Sequence, residues 1–258
     1  NRLEASGALT LKAQLSARTP LLGTFLKTPS SMIAEVLART DLDLVCVDAE
    51  HAPFDRRDID ACIHALNAAR KPVIVRVPAN APEHILNALD CGASGILAPH
   101  IRNGEDARRL AGDCKYGSGR GYAGSSRAAG YGARTMREHI TLSNAATSVI
   151  AQIEDAEALP HLAEIFSVSG IDAFFIGRAD LAVSMGADSP DDPRVIDAVT
   201  RICRQGVASG VCIGMFTANL SEIAGWREQG ASLFLLGSDH GFLLSGARAL
   251  SESVRQQF

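Results

Sequence analysis

Short apolar runs recur along the chain at residues 21–26, 42–47, 72–77, 95–101, 149–153, 173–176, 211–216 and 233–236. Val, Ile, Leu and Phe fill them continuously rather than at alternate positions, which predicts parallel strands covered on both faces. Between the runs the period lengthens. In 55–70, Ile59, Cys62, Ile63 and Leu66 fall at i, i+3, i+4 and i+7 behind an N-cap at Asp55, the pattern of an amphipathic helix. Residues 30–39, 82–90, 104–112, 158–168, 193–208, 221–229 and 242–255 read the same way, and Gly92, Gly170 and Gly230 stand where helices must stop and turn into strands. Eight strand–helix units in succession predict an α/β fold of the (β/α)8 TIM-barrel type, as a single domain over residues 1–258. A doubly wound open sheet is the alternative, but it normally has fewer repeats and a phosphate fingerprint after its first strand. Neither GxGxxG nor GxxxxGK[ST] occurs there.

One connection is out of proportion. Residues 115–134 hold the run GSGRGYAGSSRAAGYGAR, followed by a polar helical stretch up to residue 148. Loops of this length in compact domains are usually functional or mobile, so a lid or subunit contact over an anionic ligand and a solvated insertion both fit. Arg120, Tyr122 and Arg127 are the residues that favour a position beside an active site, that of a neighbouring subunit included.

Composition narrows the class. With 47% hydrophobic and 21% charged residues the chain can build a large core. A net charge of −4 and scattered Lys and Arg provide no basic field for nucleic acid. No apolar run approaches the roughly 18 residues of a membrane span. The first residues lack the basic start and apolar stretch of a signal peptide, and the six cysteines form no CxxC pair. A cytoplasmic protein with reduced thiols is expected.

Barrels of this kind carry their chemistry at the carboxyl ends of the strands. Those positions hold Asp48, Glu50 and His51 after the second strand, Arg76 in the third, Gln152 and Glu154 at the fifth, and Asp180 after the sixth. Glu154 and Asp180 could hold a hard divalent cation; helix capping or a structural ion pair explains them as well. His51 at the exit of VDAEHAP could act as a general base, although a lone histidine is more often structural. Arg76 inside VIVRVP needs an anionic partner, either a ligand or a protein carboxylate. His100 and His240 lie at strand ends as pocket lining only. Lysines occur only at positions 12, 27, 71 and 115, and Lys27 alone follows a strand end, where it reads as a solvated turn residue.

The motifs VDAEHAPFD, VRVP, LDCGASGILAPHI, QIED and FIGRADLAVSMG, in this order and spacing, resemble the HpcH/HpaI aldolase family of metal-dependent pyruvate aldolases, over residues 23–241. The resemblance implies a barrel of the phosphoenolpyruvate/pyruvate type, with Glu154 and Asp180 as ligands of Mg2+, Mn2+ or Co2+. It implies Gln152 and the Ala179 backbone N–H at the bound substrate, His51 as base, Arg76 as stabiliser of an enolate, and Asp90 raising the basicity of a histidine across a subunit boundary. It further implies a homo-hexamer, a trimer of dimers that exchange the last helix. The expected reaction is reversible cleavage of a 4-hydroxy-2-oxo acid to pyruvate and an aldehyde, both small molecules, without nucleic acid or membrane as partner. An acyl-CoA lyase of the malyl-CoA or citrate lyase β type and a non-catalytic binder of pyruvate-like acids are the alternatives. The sequence departs from the family pattern where Gly117-Ser118 replace Pro-Pro after Tyr116, and where Arg178 replaces a proline. Both departures bear on substrate choice rather than on reaction type.

Overall fold

The structure is a computed structural model that describes residues 9–258 apart from Gln256. A short helix, α1 (Leu11–Ser16), precedes strand β1 (Leu21–Leu26). Then come α2 (Ser31–Ala38), β2 (Leu44–Asp48), α3 (Arg56–Ala68), β3 (Val73–Arg76), α4 (Pro82–Asp90), β4 (Gly95–Ala98), α5 (Gly104–Asp113) and α6 (Met136–Ala146). The second half holds β5 (Ser148–Ile153), α7 (Leu162–Phe166), β6 (Ala173–Ile176), α8 (Arg178–Ser184), α9 (Pro193–Ala208), β7 (Ile213–Thr217), α10 (Ile223–Glu228), β8 (Ala231–Ser238) and α11 (Asp239–Arg255). The strands pair in parallel in chain order, and β8 closes on β1. The expected barrel is the one found.

Two apolar clusters follow from strand parity. Leu21, Phe25, Leu44, Cys46, Ile74, Leu97, Ile150, Phe175, Leu233 and Leu235 fill the barrel interior, with Leu11 and Leu15 of α1 in the same cluster. The intervening residues, such as Val45, Val47, Val73, Val75, Val149 and Ala151, join the larger cluster with the surrounding helices. Both faces are therefore dry, which is why the strand sequences run apolar without alternation.

The differences from the sequence pattern are local. Residues 158–168 do not form one helix, because Pro160 lies within a 3-10 segment, Ala156–His161, and α7 starts only after it. The helix α8 was not anticipated. Gly92, Gly170 and Gly230 adopt φ of +97°, +93° and +100°, as their place ahead of strands demanded. All six cysteines are buried and unpaired. No helix among the described residues is long and apolar enough to cross a membrane.

The long connection is exposed over much of its length but is tied down by side chains. Asn144 of α6 brackets Tyr116, accepting from its N–H at 2.9 Å and donating to its carbonyl at 3.0 Å. Arg127 holds Asp60 of α3 through Nη2 at 2.8 Å, and Arg120 donates to Asp90 at 3.0 Å and Ser143 at 2.9 Å.

The seam between β8 and β1 is fastened by Asp239. Its carboxylate, only 8% exposed, accepts from the backbone N–H groups of Lys27 at 2.7 Å and Thr28 at 3.1 Å, and from the Thr28 hydroxyl. Asp239→Ala leaves these donors unpaired and should cost about 1–3 kcal/mol, read as a lower urea midpoint with an unchanged slope.

Candidate active site

Parity carries the barrel interior straight into the site. Two residues beyond the inward Phe25, Cys46, Ile74 and Ile150 stand Lys27, Asp48, Arg76 and Gln152, with Glu50 and Glu154 two further on. Asp48 has no exposed surface and receives a bidentate grip from Arg76, at 2.9 Å from Nε to Oδ1 and 2.7 Å from Nη2 to Oδ2. The Lys27 ammonium lies 3.1 Å from the same carboxylate, and the His51 backbone N–H donates to it at 3.1 Å. Burial would raise the Asp48 carboxyl, but Arg76, the His51 N–H and Lys27 outweigh burial and hold it below the usual range. Arg76 also stacks on Phe25, 4.5 Å above the ring centroid, and its Nε stands 3.3 Å from Glu50. The anionic partner that Arg76 required is thus supplied by the protein. The expectation of a solvated Lys27 is corrected, because its strand-end parity turns it inward onto Asp48.

Beside this pair, Glu50, His100 and Glu154 place one ligand atom each within 4.8 Å of one another. Burial, reinforced by Glu154 and Asp48 against the pull of Arg76 and His100, pushes the Glu50 carboxyl up to about 7. Burial likewise raises Glu154, opposed by the Gln152 amide and by the backbone N–H of His100, which donates to Glu154 Oε1 at 2.9 Å. Burial tends to lower the His100 imidazole, but Asp155, Glu154 and Glu50 raise it overall. His100 sits at φ +57°, an unfavourable conformation for a side chain of this size, held by these contacts. Glu50 Oε2 and Gln152 Oε1 are buried without a hydrogen-bond partner among the described residues. Crowded carboxylates with raised proton affinity and unused oxygen lone pairs fit a hard divalent cation. Gly177 leaves room for them, since a Cβ there would stand 2.7 Å from Glu154 Oε2.

A cavity of about 510 Å3 opens beside this cluster, whose Glu50, His100 and Glu154 are not among its lining residues. His51, Arg76, Gln152, Ala179 and Asp180 all line it, together with Lys27, Arg178 and Glu222. Glu154 is buried and touches Gln152, and the charge of Asp180 adds to the rise of its carboxyl. His51 stands half exposed, 3.6 Å from Glu50. Asp90 is not among the lining residues; within the chain its partner is Arg120.

Two residues were undervalued in the sequence. His100, expected only to line a pocket, and Glu50, expected only as a strand-end polar residue, both belong to the carboxylate cluster. For Glu50 the signal was available, two residues beyond Asp48 on the same face. For His100 there was none, because its place depends on a left-handed turn after β4.

Barrel, cavity and cluster define an enzyme that works at the carboxyl ends of its strands with a centre suited to a divalent cation. Comparison with known proteins carries this further. The sequence pattern of the HpcH/HpaI aldolase/citrate lyase family matches residues 21–245. The chain is 33% identical over 255 residues to the hydroxypyruvate/pyruvate aldolase of Paraburkholderia phytofirmans, covering 95% of this chain and 97% of that one. It is 35% identical over 243 residues to the 4-hydroxy-2-oxo-heptane-1,7-dioate aldolase of Salmonella typhimurium, covering 93% and 92%. A crystal structure of a family member from Burkholderia cenocepacia superposes with a TM-score of 0.90 at 35% identity, over 95% of this chain and 98% of that one. The chain belongs to the HpcH/HpaI aldolase/citrate lyase family, and the protein is an aldolase-type lyase.

Removing Asp48 strands the buried Arg76 charge, so Asp48→Asn should destabilise by about 3–5 kcal/mol. Because the folded-state pKa of Asp48 is depressed, its contribution is fully present above the unfolded value near about pH 4 and is lost as the pH falls through the folded value. Urea unfolding of both proteins from pH 7 to pH 3 should show the gap closing only at the acid end.

Proposed function

We propose that the protein cleaves 4-hydroxy-2-oxo acids reversibly to pyruvate and an aldehyde. The observation that carries this reading is the convergence of His51, Arg76, Gln152 and Asp180 on one cavity, with Glu154 against Gln152. Glu154 and Asp180 would hold Mg2+, Mn2+ or Co2+, with Glu50 and His100 grouped around Glu154. Bound there, the cation supplies Lewis acidity toward the carboxylate and keto oxygens of a 2-oxo acid.

The chain's own residues do the rest. Gln152 and the backbone N–H of Ala179, which α8 cannot satisfy because it is in the first turn, orient the acid end. His51 takes the proton of the 4-hydroxyl as the C3–C4 bond breaks. The electron pair of that bond passes into the pyruvate enolate, whose charge Arg76 opposes. Arg76 needs no reorganisation to do so, since Asp48 already fixes its plane. Protonation at C3 completes pyruvate, and condensation is the reverse.

Asp90 would act on the partner subunit's His51 as a positioning residue, with Arg120 setting its orientation. The assembly would be a hexamer, a trimer of dimers exchanging α11. Exposed Phe242, Leu243, Leu244 and Leu250 along α11, which meets the barrel chiefly at β8 and β1, support that exchange. Six buried unpaired cysteines favour the cytoplasm as the compartment.

Exhaustive chelation with EDTA should abolish pyruvate release, and Mn2+, Mg2+ or Co2+ should restore it. Borohydride with pyruvate should trap no adduct on Lys27. Full activity after chelation, together with a reduced Lys27 adduct by mass spectrometry, would move the protein to Schiff-base chemistry.

A further inference from the structure

The cavity has a wall that the reaction above does not use. It is formed by Arg178 at the start of α8, Pro190 and Asp191 ahead of α9, and Asn219 and Glu222 ahead of α10. Arg178 is only 8% exposed. Its Nη1 donates to Glu222 Oε2 at 2.5 Å and its Nη2 to Asp191 Oδ1 at 3.0 Å, while the guanidinium lies 5.4 Å from the centroid of the Trp226 ring. Glu222 is gripped from two further sides, by the Trp226 indole N–H at 3.1 Å and by the Asn219 amide at 3.2 Å. Burial would raise the Glu222 carboxyl, but Trp226, Arg178 and Asn219 hold it below the usual carboxylate range.

One cation therefore faces two carboxylates, and the wall as a whole bears a net charge of minus one. The remaining permanent cations lining the cavity, Lys27 and Arg76, are both drawn to Asp48. Neither is free to receive a second acidic group of a substrate. At the same time the Arg178 Nε–H is buried and has no acceptor among the described residues. Thr217 and Ser238 add hydroxyls to the same lining.

We infer that this wall selects a neutral, hydroxylated aldehyde and rejects one carrying a second carboxylate, with Arg178, Glu222 and Asp191 setting the choice. The inference rests on the aldolase reading and specifies its aldehyde partner. A hydroxyl of such an aldehyde donates to Glu222 or Asp191, which Arg178 holds in place. A carboxylate in its place meets two ionised carboxylates and no uncommitted cation.

The test is condensation of pyruvate, in the Mn2+-loaded enzyme, with glyceraldehyde, propanal or succinate semialdehyde, each read as kcat/KM. In the wild type, glyceraldehyde should exceed both others by about fivefold or more. Glu222→Gln and Asp191→Asn should each raise the ratio of succinate semialdehyde to glyceraldehyde, because Arg178 is then partly freed. Arg178→Met should erase the preference for glyceraldehyde over propanal. Each ratio is internal to one preparation, so a loss of active protein cannot mimic it, and should the variants fail to fold, the wild-type order alone decides. A wild type that uses succinate semialdehyde as well as glyceraldehyde, or ratios that the variants leave unmoved, would overturn the selection. Exchange of the pyruvate C3 protons in D2O without aldehyde reports the enolate chemistry separately. Its absence would overturn the aldolase reading and this one with it, whereas exchange with unmoved ratios overturns the selection alone.

Discussion

A carboxylate with no access to solvent, clasped in two places by a guanidinium that is itself nearly buried, sits where β2 and β3 end inside the barrel. The Asp48–Arg76 pair is the constraint from which the rest of the site is built. Neither charge can be in that environment alone, so each fixes the other's ionisation and rotamer. Asp48 then holds the Lys27 ammonium and the turn that bears His51. Arg76 is left with a fixed plane over Phe25 and one edge toward Glu50. A group that must meet developing charge without moving is most effective when its own partners are already in place.

Next to this balanced pair lies an unbalanced one. Glu50 and Glu154 crowd together with Asp180 nearby; His100 faces both glutamates from the cationic side, and Arg76 faces Glu50. Burial is the main cause of their raised proton affinity, and the neighbouring carboxylates add to a shortage of positive charge. A divalent cation relieves that shortage better than protons do, because it uses several lone pairs at once. Gly177 belongs to the same argument, since only a residue without a side chain lets the chain between β6 and α8 pass so close to Glu154.

The outer parts of the molecule follow a different logic. The connection between α5 and α6, rich in glycine and serine, is held by side chains rather than by secondary structure: Asn144 on Tyr116, Arg120 on Asp90 and Arg127 on Asp60. Beneath it the Tyr116 hydroxyl meets the buried His139 at 2.9 Å, so the segment has a small core of its own. At the other end of the chain α11 presents Leu243 and Leu250 to solvent, each about 70% exposed.

The barrel itself was legible in the chain, because doubly covered parallel strands must be continuously apolar and their helices must be amphipathic, and both patterns are strictly local. The rule that such barrels work at the carboxyl ends of their strands carried the reading to Asp48, Arg76, Gln152 and Glu154, and strand parity is the reason they point into the site. The same parity applied to Lys27 would have turned it inward; the following Thr28-Pro29 suggested a turn instead. Pro160 could have marked the break before α7. What no local pattern contained were contacts between distant segments: His100 against Glu154 across 54 residues, Arg120 against Asp90, and the joint hold of Glu222 and Asp191 on Arg178. Periodicity reports which face of an element is dry. Which charges meet at the rim depends on barrel closure and on loop geometry, and those arise only when all eight strands are paired.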